Sequence, residues 1–303
     1  MIKSTLRPWV RALKKTDLIW RYGSNFRSTV SFNTGRRTLT SHQQRLINDL
    51  NENGVAATTF GDLFGGDVLW HDLELAASDL LTARQEEITE LKANADNGAI
   101  GDKTFNLECL GSEVMFDLNS IFAALALNSS MVAIANEYLG MHAKLRYYNV
   151  WYTAASSSKP RESQLWHFDR EDNYILKVFL YLDDVDLGTG PFTYAPKTHR
   201  KGAHRSARPD HITEGGVRRT TDEQMSAVVP ETTWVRGTGK KGTIIFADTR
   251  GYHKGGEART RDRLMYTCMY TSPASESKNL LKFPADLHRA GLSVEQLRIL
   301  GLS

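Results

Sequence analysis

The sequence predicts an α+β fold with a jelly-roll-like β core, on three observations. Helical patterns fill the first 141 residues, β-branched and aromatic runs crowd residues 142–271, and Gly188, Gly190 and Pro191 punctuate the second half. One domain of 303 residues is expected: a mainly helical part over 1–141, the jelly-roll core over 142–271 and a helical tail over 272–303.

Each element has its own signal. Ser41 is a candidate cap for a helix whose Leu46, Ile47 and Leu50 form one apolar stripe, stopped at Asn51 to Gly54. Val55 to Phe60 reads as a short strand. Trp70 to Ala93, dense in Leu and Glu, predicts a helix ending near Asn97-Gly98. Ser112 to Leu127 and Ser130 to Leu139 predict two more, the second stopped by Gly140. Beyond His142 the pattern changes. Leu145 to Thr153, Tyr174 to Leu182, Thr243 to Ala247 and Leu264 to Thr271 are strand-like, while Ala154 to Pro160 is a Ser-rich loop. Lys197 to Trp234 is a long polar segment with little periodicity.

Composition narrows the function classes. Apolar residues make up 41 % and charged residues 24 %, ordinary for a globular protein. A net charge of +3 lacks the basic excess of a nucleic-acid binder, so the expected partner is a small molecule, with neither nucleic acid nor membrane. The most apolar stretch, Ile121 to Leu127, is far too short to span a bilayer. Two cysteines, Cys109 and Cys268, at no metal-binding spacing point to unpaired thiols and a cytoplasmic location. Met1 to Arg37 is basic, with Asp17 its only acid. A basic surface strand or arm is the preferred reading there over an organellar transit peptide. The terminal Gly301-Leu302-Ser303 is not a peroxisomal address. Oligomeric state leaves no mark.

The chemistry concentrates in Trp166-His167-Phe168-Asp169, His253 and Arg263. On a strand, His167 and Asp169 point to the same face. With 9 histidines and 35 acidic residues, about one His-x-acid triplet arises by chance, and a hydrogen-bonded structural histidine is the competing reading of the pair alone. His253 follows the strand-like run Gly242 to Asp248 and supplies a third ligand. Two histidines and one carboxylate can hold Fe(II) on one face and leave positions open for a keto acid and dioxygen. Alternation puts Arg263 on a face with Met265, Thr267 and Met269, where an arginine is costly unless it meets an anion. The competing reading is a solvated strand-edge arginine.

Gln164 to Asp169, Leu176 to Asp186, Gly190-Pro191-Phe192, Pro196 to Arg200 and Gly242 to His253 together resemble the phytanoyl-CoA dioxygenase-like family, over roughly Leu145 to Tyr270. The resemblance implies a double-stranded β-helix core with the N-terminal helices packed on the sheet. It also implies Fe(II) as cofactor, with 2-oxoglutarate and O2 as co-substrates. On that basis His167, Asp169 and His253 are the metal ligands and Arg263 the partner of the 2-oxoglutarate C5 carboxylate. Asn149 falls where related hydroxylases place an amide near the co-substrate, and Lys177 shares a face with Ile175, Phe179 and Tyr181 that points it inward near a carboxylate. Their competing readings are a backbone-satisfying amide and a solvated strand lysine. Gly255 departs from relatives that carry serine two residues after the distal histidine.

The implied activity is 2-oxoglutarate-dependent hydroxylation of an unactivated C–H bond in a small, anionic molecule, releasing succinate and CO2. Desaturation, ring closure and epimerisation stay open, and the intact Asp169 argues against halogenation. A nucleic-acid demethylase of this fold class would carry a second arginine where Met269 stands, and a cupin isomerase would carry a His-x-His pair. The alternative outside enzymology is a binding module that keeps the metal motif as scaffold. His199 and His204 are expected on the surface, in a basic loop acting as a lid with some anion role. Trp166 and Trp234 are read as pocket wall or core.

Overall fold

The computed structural model describes residues 16–35, 38–66, 68–97, 104–214, 217–285, 287 and 291–302. Thirteen strands follow one another among the described residues. They are β1 Val55–Thr59, β2 Asn106–Glu108, β3 Val114–Met115, β4 Lys144–Thr153, β5 Leu176–Tyr181, β6 Thr193–Tyr194 and β7 Ile212–Glu214, then β8 Val217–Arg219, β9 Val235–Arg236, β10 Thr243–Asp248, β11 His253–Lys254, β12 Arg263–Thr271 and β13 Leu281–Lys282. Six of them form an antiparallel major sheet in the order β1-β10-β5-β12-β4-β2, and β11-β6-β9 form a minor sheet.

Strand alternation divides the major sheet into two faces. On β5 and β12, Leu176, Val178, Leu180, Leu264, Tyr266, Cys268 and Tyr270 pack with the helices in the principal core. Phe179, Tyr181, Met265 and Ile245 face the other way and meet Phe192 and Tyr194 of the minor-sheet side in a second core. This is the jelly-roll arrangement, with helices on the outer face of the larger sheet. Two buried tyrosine hydroxyls fasten helix to sheet: Tyr266 donates to the Phe122 carbonyl at 2.8 Å, and Tyr270 to that of Ala126 at 2.6 Å, which satisfies a carbonyl at the C-terminal end of the helix Ile121–Ala126.

Several expectations change in the structure. The helix Ser41–Asn53 is capped by Thr40, not Ser41: Thr40 Oγ1 accepts from Gln43 N while Gln43 Oε1 accepts from Thr40 N. The Trp70 to Ala93 helix is two, Val68–Ala83 and Gln85–Asn94, divided at Arg84. Ser112 to Asn119 is not helical, because Val114 and Phe116 donate to Leu280 and Lys282 across a parallel pairing of β3 with β13, a partner too distant in sequence for local periodicity to reveal. That pairing also means residues 272–303 open with a strand before the helix Val294–Ile299. The core is not confined to 142–271, since β1 and β2 add both edges of the major sheet. Within Lys197 to Trp234 lie the β7–β8 hairpin and the helix Asp222–Ser226.

Of the basic N-terminal stretch, residues 1–15 and 36–37 lie outside the described residues. Residues 17–34 form helical turns rather than a strand, and Trp20 is buried, donating to Asp172 Oδ1 at 2.7 Å. Cys109 and Cys268 are both free and buried. No described helix is long and apolar enough to cross a membrane.

Candidate metal centre

His167 belongs to no named strand. It reaches the minor sheet through an isolated antiparallel bridge with His253, in which each backbone N–H donates to the other's carbonyl, at 3.0 and 2.9 Å. Side chains at directly opposed positions lie on one side of the ladder, and the two imidazole centroids stand 4.3 Å apart. Asp169 is held by a backbone bond from its N–H to Thr249 O, at 2.8 Å. One ligand atom from each of His167, Asp169 and His253 falls within 4.8 Å of the others.

Tautomers follow from the main chain. His167 Nδ1 lies 2.9 Å from Leu165 O, and His253 Nδ1 lies 3.0 Å from Gly251 O. A carbonyl only accepts, so each Nδ1 carries the proton and each Nε2 keeps its lone pair. Burial pushes both imidazole pKa values below the ordinary histidine range, keeping the rings neutral near pH 7. Burial works most strongly against an ionised Asp169, but Lys177 first and its other neighbours together outweigh it and hold that carboxyl below its usual range. Asp169 Oδ2 is buried and accepts no hydrogen bond. Two bare Nε2 atoms and one orphaned carboxylate oxygen suit a divalent cation.

Arg263, 4 % exposed, donates from Nη1 to Gly255 O at 2.6 Å, while its Nε has no partner. Among the described residues, Arg263 forms no ion pair, and burial depresses its pKa. A buried guanidinium in this state calls for an anion. Lys177 also points inward, 3.7 Å from Asp169 Oδ2 and over the Trp151 ring at 5.1 Å. In the sheet it stands opposite Met269, six residues along β12 from Arg263. At about 3.3 Å per residue the backbone positions of the two cations are separated by roughly 20 Å of strand. Asn149 lines the same wall, yet its amide is engaged locally: Oδ1 accepts from Leu110 and Val150, and Nδ2 donates to Gly111 O.

These groups line one cavity of about 520 Å³, a volume suited to small molecules. Sequence reasoning passed over four charged residues on its wall: Glu108, Arg146, Arg170 and Glu171. For the last three, only their closeness to β4 and to the His-x-Asp run hinted at them. His199, expected on the surface, is fully buried, with Nε2 3.2 Å from Asn51 O, whereas His204 is exposed. Trp166 and Trp234 pack on each other, with centroids 4.6 Å apart, in a small core with Ala195, Met225 and Val229.

A jelly roll that holds a His-x-Asp pair beside a distal histidine in its cavity defines a class of mononuclear metal enzymes. Residues 80–265 match the phytanoyl-CoA dioxygenase (PhyH) family, and the chain belongs to this family of Fe(II)/2-oxoglutarate-dependent oxygenases. Iron(II), 2-oxoglutarate and O2 are the cofactor and co-substrates of the family. Two solved structures share the fold at low identity. The epimerase SnoN, in complex with Fe3+, alpha ketoglutarate and nogalamycin RO, is 20 % identical with a TM-score of 0.52, over 79 % of this chain and 87 % of that one. EctD from S. alaskensis with bound Fe is 18 % identical, also with a TM-score of 0.52, over 87 % and 89 %. No curated protein matches the chain.

Proposed function

We propose that this oxygenase hydroxylates an unactivated C–H bond of a small, anionic molecule, with release of succinate and CO2. One observation carries the reading: three ligand atoms within 4.8 Å, with a buried guanidinium, unpaired among the described residues, lining the same cavity. His167, His253 and Asp169 would hold the metal, and Arg263 would pair with the far carboxylate of 2-oxoglutarate. Iron, 2-oxoglutarate and O2 together would supply the oxidising power for breaking a strong C–H bond, with O2 as the oxidant.

The chain's own residues set the conditions. The Leu165 and Gly251 carbonyls fix both imidazoles in the tautomer that presents Nε2. Phe192 lies against His253, with centroids 5.6 Å apart, and Phe179 against Phe192 at 4.4 Å, which excludes water from one side of the centre. Lys177 steadies Asp169 and lies on the substrate side of the centre rather than at the co-substrate end, since Arg263 occupies the opposite end of β12. Asn149 anchors the 110–111 turn that closes the cavity wall.

Substrate-triggered succinate release from the iron-loaded protein, with mass analysis of the product, tests the proposal. A gain of one oxygen supports hydroxylation. Loss of two hydrogens or an unchanged mass moves the assignment to desaturation or epimerisation. The scaffold reading is disfavoured because all four residues of the set survive in one cavity. It would prevail if 2-oxoglutarate failed to bind the iron-loaded chain.

A further inference from the structure

A second cleft of about 1140 Å³ opens beside the metal cavity and shares His167, Phe168, Arg170 and Arg219 with it. Seven arginines line this cleft against two aspartates, Asp17 and Asp210, a local excess of five positive charges in a chain whose net charge is +3. Positive charge is therefore gathered here and balanced elsewhere.

Most of these guanidiniums lack an acidic partner. Arg219 pairs with Glu162 at 3.0 Å. Among the described residues, Arg170, Arg205, Arg208, Arg218 and Arg250 form no ion pair. Arg208 donates to the Ala207 carbonyl at 2.7 Å, and Arg250 to the Asp169 carbonyl at 2.6 Å. Arg250 Nε is buried with no partner at all. Arg170 and Arg250 lie over the Phe168 ring at 5.2 and 5.3 Å, so two cations are held against the residue that separates the cleft from the metal cavity. Arg205, Arg208 and Arg218 are exposed while Arg250 is partly buried, and like charges gathered around one volume raise the local concentration of anions. A single carboxylate has two oxygens and one charge, enough for one bidentate arginine. Five unpaired guanidiniums arranged around one volume suit an anion with several charges and oxygens directed outward on all sides.

We infer that this cleft binds the phosphate or diphosphate group of a phosphorylated substrate, whose oxidisable carbon reaches past Phe168 to the metal cavity. The second clause rests on the oxygenase reading above; the phosphate site does not. It deepens the anionic-substrate proposal by naming the anion.

The test is calorimetric titration of the metal-free full chain with inorganic pyrophosphate at near-physiological ionic strength. Saturable binding that citrate matches only weakly and that 2-oxoglutarate does not displace is expected. Exchanging Arg205 and Arg218 together for serine should weaken it by about tenfold or more, with the Arg205→Lys/Arg218→Lys protein intermediate. Arg45→Ser, outside the cleft, serves as the matched surface control and should bind as wild type does. Equal affinity for citrate, displacement by 2-oxoglutarate, or an unchanged affinity in the serine double variant would overturn the proposal. Preferential binding of an oligonucleotide over pyrophosphate would also overturn it, in favour of a nucleic-acid ligand. Separately, a 2-oxoglutarate titration of iron-loaded wild type reports on the oxygenase reading, so the two can fail independently.

Discussion

Lys177 Nζ stands 3.7 Å from Asp169 Oδ2, within ion-pair range and beyond hydrogen-bond range, with both groups largely shielded from water. The carboxylate is thus charge-balanced without being bonded, and its oxygen stays available to a cation. Burial opposes the charge on Lys177, but Tyr147 and Asp169 outweigh it and hold the ammonium protonated. Lys177→Met leaves Asp169 buried without compensation, a loss on the order of 3 kcal/mol. Thermal unfolding of the metal-free variant should come at lower temperature than wild type. A divalent metal should then raise its melting temperature more than it raises that of wild type.

Replacing Arg263 by leucine removes the one cation proposed to meet the 2-oxoglutarate C5 carboxylate. Charge-assisted bonds of this kind are worth about 1.5–3 kcal/mol, so KM for 2-oxoglutarate should rise by about 10- to 100-fold. Iron content after anaerobic loading should be unchanged. A variant with wild-type KM would place the co-substrate elsewhere.

Asp169→Ala removes the sole carboxylate of the triad. Substrate-triggered succinate release should fall below detection and iron affinity should drop at least about tenfold. Turnover equal to wild type would show that the ligands lie elsewhere.

Acid should weaken the metal-free protein through its buried histidines. His167, His253 and His199 all have pKa values lowered first of all by burial, so below pH 6.5 the unfolded chain takes up protons that the folded chain refuses. Stability is therefore fully present above pH 6.5 and is lost as pH falls toward the folded-state values. Each histidine contributes at most about 1.4 kcal/mol per pH unit. Denaturant midpoints measured between neutral and mildly acidic pH should show this slope, shallower in a His167→Gln/His253→Gln protein.

Gly54 ends the helix Ser41–Asn53 at φ +81°, and a Cβ there would strike the Tyr194 hydroxyl and approach His199 Nδ1 to 2.7 Å. Gly54→Ala should lower stability by at least about 2 kcal/mol, combining left-handed strain with the clash. Urea unfolding of the two proteins side by side measures it.

Strands β4, β5, β10 and β12 were legible because alternation and β-branched runs are local signals, whereas His167 lies on no strand and His253 on the two-residue β11, which no such run marks. His167, Asp169, His253 and Arg263 stood out because each falls in a distinctive run. What the sequence hid depends on distant partners. The β3–β13 pairing joins segments at opposite ends of the core. Lys177 and Asp169 meet across the cavity with no shared periodicity. The arginine cleft draws on positions 170, 250 and the 200–219 loop, and only the loop looked basic on its own. His199 read as a surface residue because a polar loop masks the helix end and strand it lies beneath.

Both imidazoles are steered by carbonyls of their own segments, Leu165 and Gly251, each two residues upstream. Among the described residues, no side chain hydrogen-bonds to either ring. The rest of the cavity lining is therefore free to change over evolutionary time without turning either ring, which lets such a scaffold exchange one substrate for another while keeping its chemistry.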